Sequence, residues 1–331
     1  MRIVFFETEG WEPEKLQSLV KEHEVEFCQE SLTVANMASF QDADIISPFV
    51  HSSLDLAVLS KLPELKYIAT RSTGFDHVDL GYCNEHGIVV SNVPVYGTNT
   101  VAEHSFALLL AISHHIPAAV AATRQGNFSG TGLRGFDLHG KTLGIIGTGN
   151  IGGRVAEIAL AFGMQVLACD IKPDAELARN SGLRYVSMES LLAAADCISL
   201  HVPGGEATNN LLSEEEFAQM KKGVILINTA RGSIVDVRAL LRALDSGVVA
   251  AAGLDVLRDE AALRALPEAG AAPDNEDILR ANRALLDRDN VLITPHSAFN
   301  TNEAIERILQ TTSDNIEHFI AGSPQNTVNA V

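Results

Sequence analysis

Three side chains that can grip an oxyanion or move a proton stand at comparable points of this sequence, each just past a run of apolar residues. After Val224-Ile-Leu-Ile-Asn228 come Thr229, Ala230, Arg231 and Gly232. After Ala250-Ala-Ala-Gly-Leu254 come Asp255 and, five residues on, Glu260. After Val291-Leu-Ile-Thr294 come Pro295 and His296. Short apolar runs of this kind read as buried parallel strands, and an open parallel sheet binds its ligands beyond the carboxyl ends of its strands. Arg231, Glu260 and His296 are therefore expected to face one crevice, a placement that suits hydride transfer to a 2-oxo acid. Arg231 can hold a carboxylate with two parallel N–H donors and polarise the adjacent carbonyl. His296 titrates near neutrality and is the natural acid or base, and a neighbouring Glu260 carboxylate favours its protonated form. Asp255 can accept from a nicotinamide amide. Taken singly, the Arg reads as a surface ion pair, the Glu as a helix-start charge and the His as a turn residue. Their joint placement favours the site.

The segment Gly147-Thr-Gly149-Asn-Ile-Gly152 supplies the other reactant's cradle. It follows a strand-like Leu143-Gly-Ile-Ile and opens a helical pattern over Ile151–Phe162. The next strand, Gln165–Cys169, ends in Asp170, 18 residues past Gly152. Gly147 permits the tight turn, Gly149 lets the backbone approach a pyrophosphate, and Gly152 allows the helix to pack closely on the strand. The helix N-terminus supplies N–H groups and a favourable dipole for the diphosphate. Asp170 can accept from ribose hydroxyls and repels a 2′-phosphate, so the cofactor expected is NAD rather than NADP.

These residues must be held by alternating strands and helices. In the first third, strands are expected over Ile3–Phe6, Val25–Cys28, Asp44–Phe49, Tyr67–Thr70 and Ile88–Val93, with helical patterns between them at Pro13–Glu22 and Leu54–Ser60. A largely apolar helix runs from Thr98 to about Ile116, with Asn99 or Thr100 as its cap, Glu103 completing a capping box and Pro117 ending it. A second series of strands covers Thr142–Gly147, Gln165–Asp170, Cys197–Val202, Val224–Thr229, Val248–Val256 and Val291–Thr294. Leu257–Asp289 reads as a solvated helical excursion, and Thr301–Ala321 as an amphipathic helix that returns to the first domain. This alternation is the pattern of a parallel α/β protein.

Composition narrows the partners. The chain has 331 residues, 46% of them hydrophobic, and a net charge of −18, enough apolar surface for two domains and a charge that repels nucleic acid or an acidic membrane. No apolar run reaches membrane-spanning length, and Met-Arg-Ile-Val-Phe-Phe-Glu reads as a first strand, not a signal peptide. The four cysteines form no C-x-x-C pair and read as reduced thiols in a cytoplasmic protein. Ligand spacing for a metal is missing, and the adjacent His114–His115 reads as a helix end.

With these residues in view, the chain resembles the NAD-dependent D-isomer-specific 2-hydroxyacid dehydrogenases, closest to those acting on D-lactate, over nearly its whole length. The motifs are Arg71-Ser-Thr-Gly-Phe-Asp-His-Val-Asp, Asn92-Val-Pro-Val-Tyr-Gly, Ala102-Glu-His, Gly147–Gly152, Leu200-His-Val-Pro203, Asn228-Thr-Ala-Arg-Gly-Ser, Gly253-Leu-Asp-Val and Thr294-Pro-His-Ser-Ala-Phe. The resemblance implies two similar doubly wound parallel α/β domains: a Rossmann NAD-binding domain over 98–297 and a flavodoxin-like substrate domain from 1–97 and 298–331. It assigns Arg231, Glu260 and His296 to catalysis. It places Asn150, Ile151, Asp170, Val202, Pro203, Thr229, Ala230 and Asp255 around NAD. The Thr73–Gly74 backbone goes to the substrate carboxylate and Tyr96 to the pocket wall, while Arg71 is expected to support its loop through ion pairing. It implies D-stereochemistry, a homodimer packed through the long helix, and a small 2-oxo acid substrate, first of all pyruvate. Asn300 departs from the aromatic that lactate-type members carry there, which leaves a larger or more polar 2-oxo acid, or glyoxylate, open. A dinucleotide-sensing, corepressor-like protein of the same fold is the alternative outside enzymes.

Overall fold

β-Branched and aliphatic residues in runs of three to six, bounded by polar turns, have one economical way to bury both faces: a parallel sheet covered by helices. The computed structural model, which describes residues 1–10, 16, 22–264 and 276–330, contains two such sheets. The first is built from β1 (Arg2–Phe5), β2 (Glu24–Phe27), β3 (Ile45–Ser47), β4 (Tyr67–Ala69) and β5 (Val89–Ser91), in the order β2-β1-β3-β4-β5. The second holds β6 (Thr142–Ile146), β7 (Gln165–Cys169), β8 (Arg184–Tyr185), β9 (Cys197–Leu200), β10 (Val224–Asn228), β11 (Val249–Leu254) and β12 (Val291–Ile293), ordered β12-β11-β10-β9-β6-β7-β8. Every strand pair is parallel. The order reverses between β1 and β3 in one sheet and between β6 and β9 in the other, the positions where such sheets open a crevice. No single helix among the described residues is long and apolar enough to cross a membrane.

The chain divides into two compact units, Met1–Tyr96 with Asn300–Val331, and Gly97–Phe299. In the first, the helix Asn302–Ile320 is capped by Thr301, whose hydroxyl accepts from Ala304 N–H, and its face of Ala304, Ile308, Leu309 and Ile316 is buried. Phe319 stacks on Tyr67 at 4.2 Å, and Tyr67 Oη donates to the carbonyl of Asn315 at 3.2 Å. Burial pushes the Tyr67 hydroxyl up to about 12. The amide of Asn315, itself fully buried, donates to the Asn92 carbonyl at 2.9 Å and accepts from Asn326 at 2.8 Å.

In the second unit the long apolar helix spans Thr98–Ser113 and shares a core with the helix Asn150–Ala161, through Phe106, Leu109 and Ile112 on one and Val155, Ala156 and Ala159 on the other. Its start differs from the expected capping box. Gly97 occupies the cap with no side-chain bond, while Asn99 and Thr100 already lie inside the helix, because burial of the helix replaces the local signal. Pro117 does not end it either. The helix stops at Ser113, His115 turns the chain with φ +51°, and Pro117 falls in the first turn of a new helix, Ile116–Arg124; a proline suits that position because its missing N–H has no partner there anyway. Residues 265–275 of the expected excursion, and most of the Pro13–Glu22 pattern, lie outside the described residues. The part that follows, the helix Glu276–Leu286, is not simply solvated: Leu279, Ala281 and Leu285 are buried, and Ala281 and Leu285 share a core with Leu240 and Leu244 of the helix Val237–Asp245. Strand β8 and the short helices Ala175–Ser181, Met188–Ala194 and Glu214–Gln219 belong to the same unit.

Asn315→Ala removes one partner from a buried hydrogen bond and one from a part-buried one and is expected to cost about 1–3 kcal/mol of stability. A urea titration measures it, and a midpoint equal to the parent's would show that the C-terminal helix is held by apolar packing alone.

Candidate active site

The loop after β6 is shaped by close approach. Gly147 has φ +90°, and a Cβ there would lie 2.6 Å from the carbonyl oxygen of His201, at the end of the neighbouring strand β9. A Cβ on Gly152 would lie 2.0 Å from the Gly147 carbonyl oxygen, so the helix Asn150–Ala161 sits directly on the turn. Gly149 is the residue before that helix, and the space its Cβ would take is open. Asn150 and Ile151 form the helix's first turn. Asp170, one residue past β7, accepts at Oδ2 from Thr148 N (2.6 Å) and Thr148 Oγ1 (3.0 Å), and at Oδ1 from Lys172 N (2.8 Å). Burial alone would raise its pKa, but these donors outweigh it and hold the carboxyl below the usual range. Thr148, Gly149, Asp170 and residues 172–176 border a hollow of about 610 Å³. Open space at Gly149, a helix N-terminus without a side-chain cap behind it and a charged Asp170 at the rim fit the diphosphate and ribose of a dinucleotide.

The proposed catalytic residues sit on loops after β10, β11 and β12. Glu260 Oε2 stands 3.2 Å from His296 Nδ1, and Glu260 Oε1 accepts from Leu257 N at 2.7 Å. Glu260 also begins a helix, Glu260–Arg264, so its place at a helix start and its contact with the histidine coexist. His296 adopts φ +54°, a left-handed backbone that costs a residue with a Cβ about 1–2 kcal/mol. Asp255 holds it there. Only 1% exposed, Asp255 accepts from Thr294 Oγ1 (2.5 Å), Ser297 N (2.9 Å) and Ala298 N (2.9 Å), and its own carbonyl accepts from His296 N at 2.9 Å. In the structure Asp255 thus binds the segment that carries His296; its carboxylate meets three protein donors.

Arg231 is fixed by a residue absent from the expected site. Asn228, at the end of β10 and 1% exposed, donates to the Arg231 carbonyl at 2.9 Å and accepts from Ala230 N at 3.0 Å. Its signal in the sequence is a polar residue ending a wholly apolar strand, where burial demands partners. The stem of Arg231 lies against Gly204, just past Val202 and Pro203, and its Nη1 donates to the Ala230 carbonyl at 2.8 Å. A Cβ on Gly232 would lie 2.1 Å from the Leu257 carbonyl carbon, so the arginine's loop and the glutamate's loop touch backbone to backbone. Thr229 exchanges a hydrogen bond with Ser105 at 2.8 Å. His104 Nε2 lies 3.1 Å from Thr294 Oγ1. His201, beside the Gly-rich turn and 2.8 Å from Ser199 Oγ, is pushed down to about 3 by burial and stays neutral.

The other candidates belong to the first unit. Thr73 Oγ1 donates to the Val93 carbonyl (2.8 Å), the Thr73 carbonyl accepts from Asn92 (2.7 Å), and the Gly74 carbonyl accepts from Ser72 Oγ (2.6 Å). Arg71, buried, donates to the carbonyls of Phe6 and Glu7 and lies over the Phe49 ring, which ties its loop to the chain just past β1. Tyr96 is half-buried, with its carbonyl accepting from Arg307, and Asn300 is exposed.

Residues 106–298 match the family described as D-isomer specific 2-hydroxyacid dehydrogenase, NAD binding domain. The chain is 36% identical to the D-lactate dehydrogenase of Escherichia coli over 97% of this chain and 98% of that protein. It is 37% identical to a hydroxypyruvate reductase of Thermotoga maritima over 89% and 91%. Among solved structures, the D-lactate dehydrogenase of Aquifex aeolicus, complexed with NAD and lactic acid, superposes with a TM-score of 0.89 at 37% identity, over 99% of both chains.

Gly232→Ala forces a methyl group into the Leu257 carbonyl. It is expected to destabilise the chain by about 1–3 kcal/mol, read from a denaturant midpoint; a curve overlying the parent's would contradict the close approach of the two loops.

Proposed function

Since the chain belongs to the D-isomer specific 2-hydroxyacid dehydrogenase family and takes NAD as its cofactor, we propose that it reduces pyruvate to D-lactate. The observation that carries the reading is the 3.2 Å contact between Glu260 Oε2 and His296 Nδ1. It commits one ring nitrogen to the carboxylate and leaves Nε2 to face a substrate. Near-complete coverage of D-lactate dehydrogenases at 36–37% identity supports the choice of pyruvate.

In this reading the Gly147–Gly152 turn, Asn150 and Ile151 hold the diphosphate and Asp170 the adenosine ribose. Val202, Pro203, Thr229 and Ala230 line the rest of the cofactor's path, and Asp255, buried beneath it, holds the segment that carries His296. NADH supplies the hydride that adds to the carbonyl carbon. Arg231 holds the substrate carboxylate and polarises its carbonyl, drawing charge onto the oxygen as the bond to hydrogen forms. His296 gives its proton to that oxygen, and Glu260 fixes the ring and stabilises the imidazolium. The parts of Thr73 and Gly74 in carboxylate binding, and of Tyr96 in the pocket wall, rest on resemblance. A cytoplasmic location rests on the reading of the four cysteines as reduced thiols, and a homodimer on resemblance. The latter gains support from the helix Ile116–Arg124, which buries none of its residues and leaves Ile116 and Val120 exposed.

Asn300 favours a second reading within the same reaction. A small, exposed, polar side chain in place of an aromatic suits a larger or more hydroxylated 2-oxo acid, or glyoxylate.

Loss of NADH absorbance across a panel of pyruvate, hydroxypyruvate, glyoxylate and branched 2-oxo acids decides between them, with product chirality checked. Pyruvate is expected to give the highest kcat/KM and D-lactate the product; a preference for hydroxypyruvate or glyoxylate would replace pyruvate and keep the chemistry. His296→Gln is expected to lower kcat by about 10²–10⁴-fold, and Arg231→Gln to lower kcat and raise the KM of the 2-oxo acid together. Undiminished turnover in both variants would overturn the assignment of the pair, and tight NADH binding without turnover of any panel member would favour a dinucleotide sensor.

A further inference from the structure

A carboxylate can only accept hydrogen bonds, and that fact sets the direction of a chain of contacts behind Asp170. Thr148 Oγ1 lies 3.0 Å from Asp170 Oδ2 and must spend its one hydrogen there. In its 2.8 Å contact with Tyr185 Oη, Thr148 is therefore the acceptor and Tyr185 the donor. The Tyr185 oxygen is then left to accept, and it takes the backbone N–H of Asp174 at 3.1 Å. The run Asp174 N–H, Tyr185 O–H, Thr148 O–H, Asp170 has a single possible polarity, and each bond strengthens the next. It joins three separate segments: the glycine-rich turn, the 170–174 stretch and β8. Thr148, Asp170 and Asp174 border the same hollow. Tyr185 reaches them from an edge strand two residues long, paired with β7 through Leu167–Arg184 and Ala168–Tyr185.

We propose that Tyr185 is a positioning residue for cofactor choice: through Thr148 it fixes the orientation of Asp170 and thereby sustains the preference for NAD over NADP. This rests on the reading of Asp170 as the ribose acceptor. The carboxylate discriminates only while it is held at the rim, because Lys172 borders the same hollow and offers a cation to a 2′-phosphate once the carboxylate swings aside. Backbone donors from Thr148 and Lys172 hold Asp170 from two sides. The hydroxyl relay adds a side-chain restraint to these backbone ones and is the one that a side-chain change can remove.

Calorimetric binding of NADH and NADPH to the full-length protein tests this. Tyr185→Phe, which keeps the ring and removes the oxygen, is expected to weaken NADH binding about fivefold, the equivalent of one net hydrogen bond, while changing NADPH binding much less, so that the ratio of the two affinities narrows. Thr148→Val should lose as much as Tyr185→Phe, and Thr148→Ser should restore most of it. Asp170→Ala serves as the reference. If Asp170→Ala lowers NADH affinity but Tyr185→Phe leaves it unchanged, Tyr185 only packs and the proposal falls while the reading of Asp170 stands. Equal losses for NADH and NADPH in Tyr185→Phe overturn it as well, since a general loosening of the fold would not discriminate. If Asp170→Ala changes neither affinity, the reading of Asp170 fails and takes the proposal with it.

Discussion

The site in the larger unit depends on one buried negative charge. Removing the Asp255 carboxylate from water is costly unless donors replace the solvent; three of its donors come from residues 294–298, and His104 Nε2 stands 3.5 Å from Oδ1. The segment is bound tightly enough to keep His296 in a left-handed conformation, with φ +54°, which an unrestrained residue of its type would leave. The strain is local and the compensation is next door. Without that carboxylate the histidine's backbone would relax, and its ring would lose the register with Glu260.

The same logic recurs around it. Asn228 closes the turn that carries Arg231 by bonding both of its ends, and Gly232 presses that turn against the backbone of Leu257. Three loops that follow three adjacent strands, β10, β11 and β12, are thereby tied to one another by backbone contacts. Side chains that must keep sub-ångström relations during a reaction are best served this way, since backbone contacts leave little rotamer freedom. On the far side of the switch between β6 and β9, the glycine-rich turn packs on the His201 carbonyl in the same manner.

Much of this was legible in the residues. Apolar runs bounded by polar turns located the strands to within a residue or two. The spacing from Gly152 to Asp170 located the dinucleotide half, and the residues just past the strands led to Glu260 and His296. Other features were hidden for physical reasons. Strand β8, two residues long, is too short to show a period. The helix at Thr98 begins at a bare glycine, because burial of Phe106, Leu109 and Ile112 stabilises it without a cap. Pro117 looks like a stop from either direction, and only the turn at His115 decides that it opens a helix. Asn228 and Tyr185 act through partners remote in sequence, Tyr185 being 37 residues from Thr148, and no local pattern marks such pairs.

The first unit is assembled from both ends of the chain, and that arrangement sets a schedule for its birth. Residues 1–96 leave the ribosome carrying a five-stranded sheet whose Tyr67 awaits Phe319 and Asn315. At about 5–20 residues per second, the intervening 97–299 take roughly 10–40 s to be made, during which that apolar face lacks the helix Asn302–Ile320. The larger unit has its whole sequence in hand and can fold at once. The smaller one must keep its half-built core from sticking to its neighbours until the helix Asn302–Ile320 arrives, so newly made chains are most exposed to aggregation, and to holding chaperones, through residues 1–96.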